Sequence, residues 1–205
     1  MTAEKCLEIL REVKDAAFAT VDENGRPQVR MIDVMLVENE TLYFCTSRGK
    51  DFYRQLMDKG ETAVVGMNRE YQAVRLNGMV EKLEDPKYWI DRIFEANPSM
   101  NDVYPGDSRY ILDPFCIRKG EIEFFDLGTT PIQRESFSLG GQKTKKKGFY
   151  ITEACIGCGK CKRNCPQKCI EEGKPYRIRQ ENCLHCGLCY ENCPVLAICS
   201  RANQK

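Results

Sequence analysis

Cys6, Ile9, Leu10, Val13 and Ala17 recur at intervals of three and four, which predicts a helix over residues 3–16 with Thr2 as its N-cap. Residues 17–21 read as a strand, and Asp22-Glu23-Asn24-Gly25 as a hairpin turn. A long strand apolar on both faces is expected over 27–37, and Glu38-Asn39-Glu40 turns into another over 41–46. Residues 49–58 fit a helix with Phe52, Leu56 and Met57 inward. Strands follow over 62–67 and 71–83, the second with an expected bulge at Gly78. Asp85-Pro86, an N-cap followed by proline in the first turn, opens a helix to about Ala96. Residues 98–114 read as irregular, and 115–118 with 121–127 as a last hairpin around Lys119-Gly120.

Six or seven strands joined by hairpins and short helices, without βαβ alternation, predict a mainly β (α+β) domain: an antiparallel barrel with helices at its edges. Strands apolar on both faces need cover on both. The barrel interior covers one, and a subunit interface is expected on the other. Residues 1–135 are assigned to this domain. Ser136 to Gly148, rich in Ser, Gly and Lys, reads as a basic flexible linker. A second, small α+β domain is assigned to 149–205.

That second domain carries most of the chemistry. Cys155, Cys158, Cys161 and Cys165 are spaced x2, x2, x3 and followed by Pro166; Cys183, Cys186, Cys189 and Cys193 repeat the spacing before Pro194, 28 residues on. Gly159 and Gly187, Asn164 and Asn192, and Ile170 and Ile198 keep the same offset, so the segment is an internal duplication. Three thiolates on one tight loop reach three corners of a cubane, and the fourth must come from elsewhere. The pattern suits two [4Fe–4S] clusters, with the fourth Cys of each run serving the other cluster. Cys155, Cys158, Cys161 and Cys193 would hold one; Cys183, Cys186, Cys189 and Cys165 the other. Gly157, Gly159 and Gly187 would let backbone N–H groups approach the sulfurs. Zinc ribbons place their ligands as separated pairs, which fits these triplets poorly. A disulfide framework needs an oxidising compartment, whereas the acidic, amphipathic N-terminus does not read as a secretory signal. Residues 148–199 resemble bacterial two-cluster ferredoxins. Cys6, Cys45 and Cys116 read as reduced core thiols, Cys169 and Cys199 as packing beside the clusters, and His185 as a cluster-loop residue.

Charge changes the picture only slightly. The formal net charge of +1 combines 18 basic and 25 acidic residues in 1–142 with 13 and 5 in 143–205. Two clusters on eight thiolates would bring about four negative charges into the basic part, so counter-charge explains most of its excess, and no nucleic acid is expected. No apolar run approaches the ~20 residues of a membrane span, so no membrane is expected either. Oxygen-sensitive clusters and free thiols point to the cytoplasm, and to an anaerobe.

Three stretches of the first domain carry a further resemblance: Pro27-Gln28-Val29-Arg30-Met31-Ile32-Asp33-Val34, then Leu42-Tyr43-Phe44-Cys45-Thr46-Ser47-Arg48-Gly49-Lys50, then Val74-Arg75-Leu76-Asn77-Gly78-Met79-Val80-Glu81. In this order they resemble the pyridoxamine 5′-phosphate oxidase superfamily, over roughly residues 5–127. The resemblance implies a split β-barrel that binds FMN at a homodimer interface. It implies FMN contacts at Arg30, Ile32, Thr46, Ser47, Arg48 and Lys50. The residues agree: two hydroxyls, two cations and a glycine beside a helix N-terminus make an anion site. The last hairpin lacks the Arg-x-His motif of the true oxidases, and the single histidine is His185. Pyridoxal phosphate synthesis and a His-ligated haem are therefore not expected, while a deazaflavin in place of FMN stays open. The joined parts imply an FMN-dependent oxidoreductase that passes electrons between two [4Fe–4S] clusters and a flavin, to or from a small-molecule substrate, with an electron-donor protein as partner. An electron carrier without its own substrate and a flavin or redox sensor are the alternatives. Asp33, between Ile32 and Val34, is expected to pair with Arg30, Arg75 or the flavin.

Overall fold

The computed structural model describes residues 1–203, which fall into two units. The first comprises 1–124 and 136–143; the second, 125–135 and 144–205. Residues 204–205 of the expected second domain lie outside the described residues.

The first unit opens with α1 (Ala3–Val13), whose N-cap Thr2 accepts a hydrogen bond from Lys5 N at 3.1 Å. Its apolar stripe, Cys6, Leu7, Ile9 and Leu10, is fully buried or nearly so. Strands β1 (Asp15–Val21) and β2 (Pro27–Asp33) form the expected hairpin, with Asp22 Oδ1 accepting from Asn24 N and Arg26 N at 2.9 Å. The long strand expected over 27–37 is instead β2 and a separate β3 (Leu36–Glu38). Between them Val34 N donates to Lys14 O and Met35 N to Tyr43 O. The chain here leaves one strand partner for another, which an apolar pattern alone does not reveal. Next come β4 (Thr41–Ser47), α2 (Asp51–Lys59), β5 (Glu61–Met67), β6 (Gln72–Lys82) and α3 (Pro86–Ala96), whose N-cap is Asp85. The stretch expected to be irregular holds a short helix, α4 (Met100–Val103), and a 3₁₀ turn over Gly106–Ile111.

The expected last hairpin is absent. Residues Leu112–Asp126 run as one strand, β7, straight through Lys119-Gly120. Gly78 is not a bulge toward β5 either, because that pairing keeps register from Glu61↔Met79 to Met67↔Ala73. Both glycines have one cause. A Cβ on Gly120 would overlap the Asn77 carbonyl oxygen, and one on Gly78 the Ile117 side chain. They mark where β6 and β7 pass backbone to backbone. The sheet order is β2-β1-β5-β6-β7-β4-β3, with β8 (Gln133–Leu139) paired to β7. This curled antiparallel sheet with helices is the expected split-barrel architecture.

β8 corrects the expected linker. Residues 136–139 are strand, because Phe137 and Leu139 alternate with Ser136 and Ser138, and Leu139 is fully buried in the barrel core. Conversely, 125–135 belongs to the second unit, where Asn182 Nδ2 donates to Ile132 O at 2.9 Å.

Phe18, Phe44, Phe52, Phe115 and Phe124 centre the barrel core. The outer side of β4 is covered by α3, through Cys45, Ile90, Ile93 and Phe94, and Trp89 stacks on Tyr43 with centroids 4.9 Å apart. Asp33 pairs with Lys14 at 3.5 Å, not with Arg30 or Arg75; burial and its cross-strand neighbour Asp15 push its carboxyl up.

The second unit is the small α+β region the duplication predicts. It contains β9 (Phe149–Ile151), α5 (Lys160–Asn164), β10 (Ile170–Glu171), β11 (Arg177–Ile178), α6 (Leu188–Glu191) and β12 (Ile198–Ser200). β9 pairs with β12 and β10 with β11, both antiparallel, so each repeat contributes to both ends of the unit. Among the described residues, no helix is long and apolar enough to cross a membrane.

Candidate functional site

Two cavities of the second unit are lined by cysteines. One is lined by Cys165, Cys183, Cys186 and Cys189. The other is lined by Cys155, Cys158, Cys161 and Cys193. Each takes three cysteines from one repeat and the fourth from the other. α5 carries Cys161 and α6 carries Cys189; Gly159 and Gly187, the residues before these helices, have φ of +69° and +82°. The remaining lining is mostly apolar: Ile151, Ile156, Val195 and Ile198 in one cavity, beside Lys160 and Tyr176, and Phe149, Ile170, Ile178 and Leu188 in the other, beside Gln167. Four thiols spread around a cavity, with no carboxylate or imidazole in the lining, form a donor set for a thiolate-bound cluster rather than for one small ion.

The thiols are not equivalent. The hydrogen bond from Cys169 holds the Cys183 thiol at about 6 despite burial, aided by the His185 N–H at 3.4 Å and the charge of Arg134. Burial pushes the Cys189 thiol up to about 11, and Cys161 also upward. Cys169, fully buried 3.5 Å from Cys165 Sγ, lines the same cavity as a fifth cysteine.

In the first unit Thr46, Ser47, Arg48 and Lys50 lead into α2, and Arg30 reaches Gln55 and Phe52 on that helix. Thr46, near the end of β4, has its Oγ1 buried and without a hydrogen-bond partner among the described residues. Ser47 stands opposite Leu112, and Lys50 is the N-cap of α2, which has no side-chain cap. The first-turn N–H groups of α2 are therefore left for an acceptor from outside the chain. Arg30, on β2, donates to Thr20 Oγ1 at 2.7 Å and Gln55 Oε1 at 2.8 Å and lies 4.6 Å over the Phe52 ring. Burial draws its guanidinium's pKa down, against the opposing charge of Asp51. Ile32 packs half-buried against the barrel core. Arg48 is not free: its Nη1 meets Asp113 Oδ1 at 3.1 Å.

Residues 2–102 match the pyridoxamine 5′-phosphate oxidase family, and residues 147–194 the 4Fe-4S dicluster domain. The chain joins an oxidase-type split barrel to a dicluster domain. Among solved structures, the barrel is similar to a NimC/NimA family protein from Clostridium acetobutylicum, with 26% identity and a TM-score of 0.57, covering 67% of this chain and 93% of that one. A protein of the same organism related to general stress protein 26, of the pyridoxinephosphate oxidase family, shares the fold at 15% identity and a TM-score of 0.53, covering 66% and 95%. A haem-binding protein from Mycobacterium smegmatis does so at 15% and 0.52, covering 67% and 58%. None of the curated proteins matches the chain.

The split barrel also holds a group that sequence reasoning missed. Asp113, almost fully buried on β7, accepts from Arg48, from Tyr53 Oη at 2.9 Å and from Lys82 Nζ at 2.6 Å. Desolvation pushes its carboxyl up, but these three donors outweigh it and hold the pKa below the ordinary value. The missed signal was Asp113 directly opposite Thr46 in the β4–β7 register, which requires the strand pairing to be known. Because the folded pKa is depressed, this stabilisation is present above the unfolded pKa of about 4 and disappears as pH falls through the folded value. Asp113→Asn should cost about 1.5–3 kcal/mol near neutral pH, the worth of a charged hydrogen bond, and progressively less in acid. Urea unfolding of both proteins at a series of pH values measures this difference; a constant difference down to strong acid would contradict it.

Proposed function

We propose that the protein is an FMN-dependent oxidoreductase that passes electrons between two [4Fe–4S] clusters and a flavin, to or from a small organic substrate. The observation that carries this reading is the pair of four-cysteine cavities in a chain that also bears an oxidase-type split barrel. Cys155, Cys158, Cys161 and Cys193 would bind one cluster, and Cys183, Cys186, Cys189 and Cys165 the other. Thr46, Ser47, Arg48, Lys50 and the uncapped start of α2 would hold the FMN phosphate, with Arg30 and Ile32 beside them. When bound, the clusters supply one-electron chemistry and the flavin one- or two-electron chemistry. The chain's own part is to seat them and set their surroundings. Thr46 Oγ1 supplies a buried polar contact, and Asp113 fixes the direction of Arg48. Free thiols and such clusters require a reducing compartment, which we take to be the cytoplasm, with an electron-donor protein as partner. Anaerobic reconstitution with iron, sulfide and flavin counted, followed by an acceptor screen with a reduced donor, tests the proposal. Full cofactor content with no acceptor turned over would leave an electron carrier.

The split barrel is proposed to act as a homodimer. β4 has α3 on its outer side, but the outer side of β2-β1-β5-β6 carries exposed Val29, Met31, Val65, Met67 and Met79. Register places Met31 and Val65 on either side of Ala17, and Val29 and Ala63 on either side of Ala19, so these residues form one apolar face. Such a face marks an interface, and a second copy would present the same self-complementary strands. The double substitution Val29→Lys with Met31→Lys should turn the dimer into monomer, as measured by sedimentation. A wild-type monomer at micromolar concentration would rule this interface out.

A further inference from the structure

The duplication makes each half of the dicluster domain a control for the other. At the 28-residue offset, Cys165 corresponds to Cys193 and Cys169 to Ala197. At the position matching Cys169 the second repeat has Ala197, whose backbone N–H donates to Cys193 Sγ at 3.2 Å. Beside Cys165, at 3.5 Å, stands the buried thiol of Cys169. Once Cys165 is a thiolate, Cys169 is the partner with a proton to donate.

A second difference comes from outside the repeats. Arg134 lies in the segment 125–135, beyond the residues 147–194 that match the dicluster domain, yet in the same unit. Its Nη1 faces the Cys183 carbonyl at 3.5 Å, and its guanidinium stacks 4.6 Å over Phe125. Asn182 holds the same segment through Ile132 O at 2.9 Å. Arg134 is half-buried. The first repeat has two cations at the other cavity: Lys160, which lines it, and Arg163, which donates to Cys158 O at 3.1 Å; both are exposed, where water screens their charge.

Resting on the cluster ligation proposed above, we infer that the cluster held by Cys165, Cys183, Cys186 and Cys189 has the higher reduction potential of the two, set by the Arg134 guanidinium and the Cys169 thiol. Reduction adds one electron to a cluster that is already anionic with its thiolates. A half-buried cation and an S–H donor at the ligands stabilise the reduced form more than the oxidised one. Arg134 and Cys169 are positioning residues for this potential, and an electron reaching the other cluster runs downhill to this one.

The test is a redox titration of the anaerobic full-length protein followed by electron paramagnetic resonance, with iron and sulfide counted on the same samples. Two potentials are expected, separated by at least tenfold in the reduced-to-oxidised ratio, about 59 mV for one electron. Arg134→Gln and Cys169→Ala should each lower the upper potential and leave the lower one in place. Arg134→Lys, which keeps the charge, should restore most of the Arg134→Gln shift. Cys193→Ala, which leaves the second cluster alone, should retain the upper potential. Coincident wild-type potentials, or a shift of the lower one, would overturn the inference. Full iron content with an unmoved upper potential would overturn it while sparing the ligation; sub-stoichiometric iron in the wild type would overturn the ligation itself. If Arg134→Gln does not load, Arg134→Lys and Cys169→Ala carry the decision.

Discussion

Cys193→Ala is expected to lose the cluster whose other three thiols lie 32 to 38 residues earlier in the chain. The cavity lined by Cys155, Cys158 and Cys161 is completed by Cys193, so one substitution in the second repeat empties a site in the first. Wild-type protein purified without oxygen should hold about eight iron and eight sulfide per chain, as two cubanes require. Cys193→Ala should hold about half of each, and the remaining signal should belong to Cys165, Cys183, Cys186 and Cys189. The opposite experiment needs two substitutions. Cys169 lies 3.5 Å from Cys165, close enough to replace it, so Cys165→Ala alone is expected to reload through the neighbour and Cys165→Ala with Cys169→Ala is not. Stoichiometric zinc without sulfide would end the cluster reading, and loss of the cluster held by Cys183, Cys186 and Cys189 in Cys193→Ala would end the crossed arrangement.

Lys50→Ala is expected to weaken FMN binding by tenfold to a hundredfold, because a charged hydrogen bond contributes about 1.5–3 kcal/mol. Lys50 stands exposed at the N-cap of α2, where no side chain among the described residues caps the first turn. Thr46→Val probes the same site differently. Its Oγ1 is buried without a partner, so removing it costs the empty fold little while costing FMN a contact. Arg48→Ala should have a smaller effect than Lys50→Ala, since Arg48 is already engaged by Asp113. Arg30→Ala should lower thermal stability as well as flavin content, because its guanidinium bonds Thr20 and Gln55. Riboflavin, without the phosphate these groups would read, should bind poorly to the wild type and be indifferent to Lys50→Ala. Equal flavin retention in Lys50→Ala and wild type on dilution would displace the phosphate site from this turn.

The sequence alone determined what depends on local spacing. The α1 stripe, the Asp22–Gly25 hairpin, the Thr2 and Asp85 caps and the cysteine repeats are set by neighbours a few residues apart, so periodicity and turn chemistry reveal them. The spacing also gave the expectation of a crossed set of thiols, and the two cavities group the cysteines in that way. Tertiary structure decided what depends on residues far apart. Lys119-Gly120 looks like a turn until Gly78 is seen across from it; the glycine pair serves a close strand crossing, and the chain runs straight on. Ser136–Leu139 has the composition of a tether but lies in β8, because burial of Leu139 outweighs the small polar residues between. Asp113 shows nothing in its own neighbourhood. Only the β4–β7 pairing and the approach of Tyr53 and Lys82 give that buried charge the partners it needs, since no carboxylate stays buried and ionised without them.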